Sequence, residues 1–414
     1  MKAVVFTLGC KVNKYESDSL LSSLKQMGYE VSSVLEPADI YIINTCAVTK
    51  EAEKKSRQAV ARCKKYNENA SIFVVGCASE KNSVQFSEKG VMFVRGTEKK
   101  QKILECLDKQ GSDVETLSLS YSEMPFAMST RIRSYIKIQD GCNNFCTYCI
   151  IPYLRGRSRS RSVENIVEEV KSLPESVKEI VLTGINVADF QIDGEKGLLQ
   201  LMKTLDKFGK RLRLSSMEDC LVTEDFIKGL SELENFCPHF HLSLQSGSES
   251  VLKRMNRHYT KKQFADSVKL IRKYFPLAGI TTDVIAGFCD ETDTEAEETF
   301  EFVKSLEFSE LHVFVYSPRE GTTAYKMFKD LLYETKKVRA KKLEELGLEL
   351  KRAFIAKNSE VEVLFEEEEK GYFVGYSKNY IKCYVKSEND LTNQVRKVKI
   401  NQIFGDGAVC EIIQ

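Results

Sequence analysis

Three cysteines, Cys142, Cys146 and Cys149, fall within eight positions of the stretch DGCNNFCTYCIIP, residues 140–152. This C-x3-C-x2-C spacing lets one short loop wrap a cubic iron–sulfur cluster and offer three sulfurs. A 4Fe-4S cluster carries four irons that each take one external ligand. Three cysteines therefore leave one iron open to another molecule. A zinc site would need a fourth protein ligand to close, and none of the four histidines lies near this loop. Three further cysteines are dispersed: Cys10 in LGC, Cys46 in NTC and Cys77 in VGC. Each directly follows an apolar run that reads as a strand. The carboxyl ends of parallel strands form the ligand crevice of an open sheet, so these three can converge on a second cluster. The alternative is three unrelated buried thiols. Of the other seven cysteines, Cys63 and Cys106 lie in helical patterns as packing residues. Cys220, Cys237, Cys383 and Cys410 carry no separate signal.

The elements that must position these residues fall into three regions. Residues 1–125 alternate strands (4–9, 40–44, 71–76) with helices. Leu20, Leu21, Leu24 and Met27 recur at helical spacing, with Gly28 as a stop and Thr49 as the cap of the next helix. This alternation predicts an α/β domain on a parallel sheet. Residues 126–353 continue it, with strands at 135–139, 178–184, 211–216, 239–245, 280–288 and 310–317. Val163, Ile166, Val167, Val170 and Leu173 give one helical face behind the cap Ser162. Six strand–helix units predict a partial (β/α)6 barrel, smaller than the eight-unit form. A charged helix over about 326–353 leads to residues 354–414, whose short strands predict a small β-barrel.

Charge excludes rather than selects. With 61 basic and 60 acidic residues, no global field advertises nucleic acid or membrane, and any such binding must be local. No secretory pattern opens the sequence and no run of about 18 apolar residues occurs. Thirteen cysteines in 414 residues fall far below the density of disulfide scaffolds. A cytoplasmic protein with metal or redox cysteines is expected.

DGCNNFCTYC resembles the signature of radical S-adenosylmethionine (SAM) enzymes. The whole chain resembles the methylthiotransferases of that superfamily, on LGCKVNKYES (8–17), NTCAVTKEAEKKSRQ (44–58), CTYCIIPYLRGRSRSR (146–161), HLSLQSGS (241–248), MNRHYT (255–260) and FVYSPREGT (314–322). The resemblance implies an N-terminal auxiliary-cluster domain, a radical SAM barrel and a C-terminal TRAM domain. It also implies two 4Fe-4S clusters, SAM bound through the open iron of the Cys142/Cys146/Cys149 set, and a 5′-deoxyadenosyl radical as the hydrogen abstractor. LGCKVNKYES and NTCAVT look most like the MtaB type, which thiomethylates carbon 2 of N6-threonylcarbamoyladenosine at tRNA position 37. Thiomethylation of N6-isopentenyladenosine, a different two-cluster radical SAM enzyme, and a non-enzymatic RNA-binding metalloprotein are the alternatives. The implied partners are tRNA, a flavodoxin- or ferredoxin-like one-electron reductant and a sulfur donor. The cofactors carry the difficult chemistry, so no residue is assigned as a general acid or base.

By the same resemblance Tyr148 stands near the SAM adenine, Gly184 and Asn186 serve the methionyl amine, and Ile285 and Gly287 border the adenine. Gln245 and Ser246 are weaker candidates. Arg155, Arg157, Arg159 and Arg161 alternate with Gly and Ser, and in an extended segment would line one side to meet phosphates or SAM. The helix with Lys54, Lys55, Arg57, Arg62, Lys64 and Lys65 is a second basic candidate. The tail from 355 carries eight Lys/Arg against ten Asp/Glu, which is unlike an RNA-binding module. If Glu366–Glu369 form one loop, a basic face with Lys378, Lys382, Arg396, Lys397 and Lys399 survives. Tyr372, Phe373, Tyr376 and Tyr380 are available there for stacking. One departure stands out: the family's GFPGE-like turn reads GFCDE. Cys289 would then face the active-site mouth as a reactive thiol, or the turn is simply a tolerated variant.

Overall fold

The computed structural model describes residues 1–127 and 132–413. Residues 128–131, at the expected start of the central region, and residue 414 lie outside the described residues. The N-terminal region is a six-stranded parallel sheet. Its strands are β1 (Lys2–Thr7), β2 (Glu30–Ser32), β3 (Ile40–Thr45), β4 (Ser71–Gly76), β5 (Phe93–Arg95) and β6 (Gly111–Asp113), in spatial order β2-β1-β3-β4-β5-β6. All six residues of β3 are buried, as suits a β-branched run packed on both faces. Val5 pairs with Ile42, and Ile42 with Phe73. The strands β2, β5 and β6 are absent from the sequence reading because three residues hold no readable period. Helix α1 (Lys11–Gln26) ends before Gly28, which turns at φ +89°. Helix α2 (Lys50–Tyr66) starts on Thr49, whose side chain accepts from the Ala52 N–H at 3.0 Å.

The central strands divide between two parallel sheets. Arg133–Lys137, Glu179–Thr183 and Arg211–Leu214 form one. His239–Gln245, Gly279–Ala286 and Glu310–Val315, with the short Ser216–Met217, form the other. A bridge between Leu212 and Phe236 brings their edges together. The result is the open six-unit barrel, with Ile136, Ile180, Leu212, Phe240, Leu242 and Ile280 in its core. Among the described residues, no helix is long and apolar enough to cross a membrane.

The C-terminal strands close into a five-stranded barrel in the order Glu360–Glu369, Tyr372–Ser377, Lys382–Val385, Gly407–Ile412, Val395–Phe404. Glu366–Glu369 are not a loop. They complete the first of these strands, paired with the second through a bulge near Phe365. This barrel docks on the amino ends of the central strands through one buried carboxylate. Glu179 lies opposite Arg133 and Arg211 in register. It forms an ion pair with Arg133 Nε at 3.0 Å and accepts a hydrogen bond from Arg213 Nε at 2.7 Å. The guanidiniums reach on to the small barrel: Arg213 donates to the Lys378 carbonyl at 3.0 Å and Arg211 to Glu362 at 2.8 Å. Tyr380 stacks on His239 at 4.6 Å and on Tyr376 at 4.8 Å. Gly279 leaves room for the Asn379 carbonyl, whose oxygen would sit 2.2 Å from an added Cβ.

Burial alone would raise the Glu179 carboxyl, but Arg213 and Arg133 outweigh it and hold it at about 2. Because the folded pKa is depressed, its contribution to stability is complete above the ordinary value of about 4.5 and fades as pH falls toward about 2. Removing one partner of a buried ion pair costs about 3–5 kcal/mol. Chemical denaturation of Glu179→Gln at pH 7 should show a loss of that order, and its stability should fall less steeply than the wild type's below about pH 4.5.

Candidate active site

Cys10 is the N-cap of α1, Cys46 follows β3 directly, and Cys77 opens the short helix Cys77–Lys81 after β4. Since β1, β3 and β4 are neighbours, the three cysteines share one sheet edge. Gly9 turns at φ +98°, and a Cβ there would lie 2.8 Å from both Cβ and Sγ of Cys46. Only glycine lets the Cys10 and Cys46 segments approach this closely. Burial pushes the Cys46 thiol up to about 11, and the Cys77 and Cys10 thiols add to the shift. Cys77 is raised for the same leading reason.

The second set sits in the loop after the first barrel strand. Gly141, at φ +73°, lets this loop cross the backbone of Arg157, whose oxygen would be 2.0 Å from an added Cβ. Cys142 Sγ accepts from the Asn144 N–H at 3.4 Å, and Cys146 Sγ from Arg257 Nη1 at 3.3 Å. Burial raises Cys142 to about 11 and Cys149 to about 12, with the neighbouring thiols adding. A tetrahedral zinc, about 2.3 Å from each sulfur, requires sulfurs within about 4 Å of one another. Among the described residues, His241, Asp283 and His312 form the ligand trio drawn within 4.8 Å, and neither cysteine set does. Three thiols are the donor set that an iron–sulfur cluster takes; His258 also reaches the loop, with Nε2 3.4 Å from the Asn144 carbonyl. Ser215 Oγ, at the carboxyl end of its strand, and Asp189 Oδ2 are buried without a hydrogen-bond partner. Ser215 is therefore available to a polar ligand at the carboxyl end of its strand, whereas the Asp189 carboxyl is held by Asn186, Asn143 and Ser158.

One buried network ties the two edges together. Glu16, on α1, bonds Lys100 Nζ at 2.5 Å, Lys137 Nζ at 2.8 Å and Arg155 Nη1 at 3.0 Å. Asp140, two residues before Cys142, bonds Lys137 at 2.5 Å and Arg155 at 3.0 Å. Arg155 also donates to Asn13 Oδ1 at 2.6 Å, and Asn13 donates to the carbonyls of Leu8 at 2.7 Å and Thr45 at 3.0 Å. Those carbonyls flank Cys10 and Cys46. Burial would raise the Glu16 carboxyl, but Arg155, Lys100 and Lys137 hold it well below the carboxylate range.

The arginine run therefore departs from the expected row of free cations. Arg155 ends a short helix, Ile151–Arg155. Arg159 pairs with Glu98 at 3.1 Å and Arg161 with Glu169 and Glu123. All three are buried, and buried charges require partners. Arg157 alone stays at the surface, 4.4 Å over the Phe145 ring. In the tail, Lys382 pairs with Asp406 at 3.4 Å, Lys397 with Glu360 at 2.7 Å, Lys399 with Glu411 at 3.8 Å and Lys378 with Glu362 at 3.7 Å. Arg396 bonds Gln394 and the Val395 carbonyl at 3.1 Å. Tyr376 and Tyr380 are consumed in the docking stack. Tyr372 instead joins Tyr384 and Phe404, with Lys386 5.2 Å over the Tyr372 ring. On α2, Lys54, Lys55, Arg62, Lys64 and Lys65 are exposed with no ion pair among the described residues, whereas Arg57 pairs with Glu53 at 3.3 Å.

Asn186 is drawn to the cluster loop: its N–H donates to Gln139 Oε1 at 2.8 Å, and Gln139 Nε2 donates to the Gly141 carbonyl at 2.7 Å. Gly184 makes room for that same Gln139, whose Oε1 would lie 2.9 Å from an added Cβ. Gln245 holds a left-handed φ of +69° at its strand end, and the buried Ser246 bonds Thr299 at 3.0 Å. Tyr148 packs edge-on to Phe288 at 6.4 Å, beside the half-buried Ile285. Gly287 accommodates Lys336, whose Cγ would be 2.5 Å from an added Cβ. Cys289 does not face the mouth. It is buried against Phe288 and Tyr316, and Asp290 takes the left-handed turn at φ +53°, which aspartate tolerates. Sequence reasoning missed Arg257, its partner Glu218, Ser215, Asp189 and the His241–Asp283–His312 trio. Arg257 lies in the loop between two helices, within MNRHYT; the signal for Ser215 and Glu218 was placement at strand ends, and for the trio inward strand positions.

The radical SAM superfamily matches residues 136–303, and the group described as uncharacterized protein family UPF0004 matches residues 2–95. The chain is 38% identical to the threonylcarbamoyladenosine tRNA methylthiotransferase MtaB of Bacillus subtilis, over 97% of this chain and 94% of that protein. It is 35% identical to the tRNA-2-methylthio-N(6)-dimethylallyladenosine synthase of Fervidobacterium nodosum, over 97% of each. Among solved structures it is similar to the radical S-adenosylmethionine methyltransferase TsrM of Kitasatospora setae, with a TM-score of 0.54, 13% identity and 77% of both chains covered. That last likeness concerns the fold.

Replacing Glu16 leaves Lys137 and Arg155 with Asp140 as their remaining carboxylate and Lys100 with only the Asn13 and Asn44 amide oxygens. Urea denaturation of Glu16→Gln should show a loss of about 3–5 kcal/mol, and iron retention after gel filtration should fall at both cysteine sets rather than one.

Proposed function

The chain belongs to the radical SAM tRNA methylthiotransferases and transfers a methylthio group, and from that premise we propose that its substrate is N6-threonylcarbamoyladenosine at tRNA position 37, modified at carbon 2. The observation that carries this is 38% identity, over 97% of this chain, to an enzyme named for that nucleoside, together with LGCKVNKYES around Cys10. The dimethylallyladenosine relative supports the second reading, a tRNA bearing an isopentenyl group.

A 4Fe-4S cluster and SAM follow from the family; the second cluster is part of the proposal. Cys142, Cys146 and Cys149 would hold the first cluster, and Cys10, Cys46 and Cys77 the second. When bound, the first supplies the electron that cleaves SAM, and the second offers an open iron for sulfur. The chain's own residues do the positioning. Arg257 steadies Cys146, Gln139 links the cluster loop to Asn186, and Arg155 locks the two cysteine edges. Ser215 is the polar group left for SAM. We assign the divisions 1–125, 126–353 and 354–414 to three domains, supported by the absence of strand pairing across them among the described residues. A cytoplasmic setting, where tRNA, a flavodoxin- or ferredoxin-like reductant and a sulfur donor meet, completes the reading. The unpaired cations of α2 are the proposed tRNA-facing patch.

Mass spectrometry of tRNA nucleosides from a deletion strain is the test. Loss of 2-methylthio-N6-threonylcarbamoyladenosine supports the reading, and loss of the isopentenyl counterpart moves the substrate. Two 4Fe-4S clusters require about eight irons per chain, and the Cys142/Cys146/Cys149→Ala protein should hold about four and cleave no SAM. A fully iron-loaded triple variant that still cleaves SAM would reject the assignment. Lys54→Glu/Lys55→Glu/Arg62→Glu should weaken tRNA binding and shallow its salt dependence by about 0.7–0.9 per lost phosphate contact.

A further inference from the structure

Successive residues of a strand point to opposite faces. In the strands His239–Gln245, Gly279–Ala286 and Glu310–Val315, the residues Leu242, Leu244, Ile280, Val284, Leu311 and Val313 pack into the core. The alternate residues His241, Thr281, Asp283 and His312 therefore share the other face, which lines the barrel lumen. In register, His241 lies beside Thr281 and Asp283 beside His312. Two imidazoles thus converge on one carboxylate from the strands on either side. His241 Nε2 stands 3.2 Å and His312 Nδ1 3.3 Å from Asp283 Oδ1. The two rings lie 25° from parallel with centroids 5.1 Å apart, and the three ligand atoms fall within 4.8 Å of one another.

These separations are those of a coordination shell. Metal bonds of about 2.0–2.1 Å place tetrahedral nitrogen and oxygen ligands about 3.3–3.4 Å apart. Two histidines and a carboxylate are a donor set for a borderline divalent ion with further positions open. The second nitrogen of His241 already has its partner: Nδ1 lies 2.8 Å from Thr281 Oγ1. A metal-bound imidazole donates its other N–H to an oxygen, which fixes the tautomer and the ring. A carboxylate only accepts, so without an ion both rings donate to Asp283. On binding, each proton moves to the ring's other nitrogen, toward Thr281 for His241 and toward water for His312, which is 46% exposed. Arg133 and Arg213, at the amino ends of their strands, are paired with Glu179 and leave Asp283 to the trio.

We propose that His241, Asp283 and His312 form a metal site in the barrel lumen that takes one zinc-class divalent ion and uses none of the six cysteines assigned to clusters. Its open positions lie on the exposed His312 side, where water or a substrate oxygen completes the shell.

The test uses the full-length, iron-loaded protein dialysed anaerobically against zinc. Zinc and iron are counted per chain, and X-ray absorption at the zinc edge reports the ligands. Wild type should hold about one zinc, with nitrogen and oxygen neighbours at about 2.0–2.1 Å. His312→Ala should lose that zinc with its iron content unchanged; His312→Val replaces it if it takes up less iron. Thr281→Val should weaken zinc binding about tenfold, the scale of a lost support to a ligating histidine, and Thr281→Ser should keep it. Zinc held by the His312 variant at wild-type affinity, sulfur neighbours at about 2.3 Å, or no stoichiometric zinc in the wild type overturns the proposal.

Discussion

The structure depends on a buried ionic knot between two regions of the chain. Glu16 and Asp140 together hold Lys100, Lys137 and Arg155. Asp140 stands two residues before Cys142, and Asn13, bonded to Arg155, reaches the carbonyls beside Cys10 and Cys46. A displacement of either cysteine edge would leave a buried charge unpaired. Such knots stabilise weakly against a hydrophobic alternative, but breaking them is expensive. That asymmetry suits a seam whose geometry matters more than its strength.

The same device recurs beneath the barrel. Glu179 holds Arg133 and Arg213, and these reach the C-terminal barrel with Tyr376 and Tyr380 stacked against them. The carboxyl ends of the central strands are left for chemistry and the amino ends are sealed by the small barrel. With its lysines largely paired and two of its tyrosines stacked in the seam, the small barrel offers less basic surface than α2. Its accessible aromatic feature is the Tyr372, Tyr384 and Phe404 group.

The cysteine-bearing strands were legible in the sequence because fully buried parallel strands read as continuous apolar runs, and each cysteine follows one at once. The six-unit barrel and the C-terminal barrel were legible for the same reason of pattern. Three-residue strands were not, since β2, β5 and β6 are set by their neighbours rather than by their own period. The arginine run misled because spacing says nothing of partners: Glu16 is 139 positions from Arg155. Glu366–Glu369 misled because four acids read as solvated loop, whereas they end a strand: Glu366 pairs with Arg133, and Glu367–Glu369 pair in register with Val374–Tyr372.

The central claim is that the two cysteine sets act as one site held by the Glu16–Arg155 seam. Electron paramagnetic resonance of the reduced, fully iron-loaded protein tests it most directly. The spectrum should show magnetic interaction between the two proposed clusters, unlike the sum of the spectra from Cys10/Cys46/Cys77→Ala and Cys142/Cys146/Cys149→Ala proteins. A wild-type spectrum equal to that sum would contradict the account.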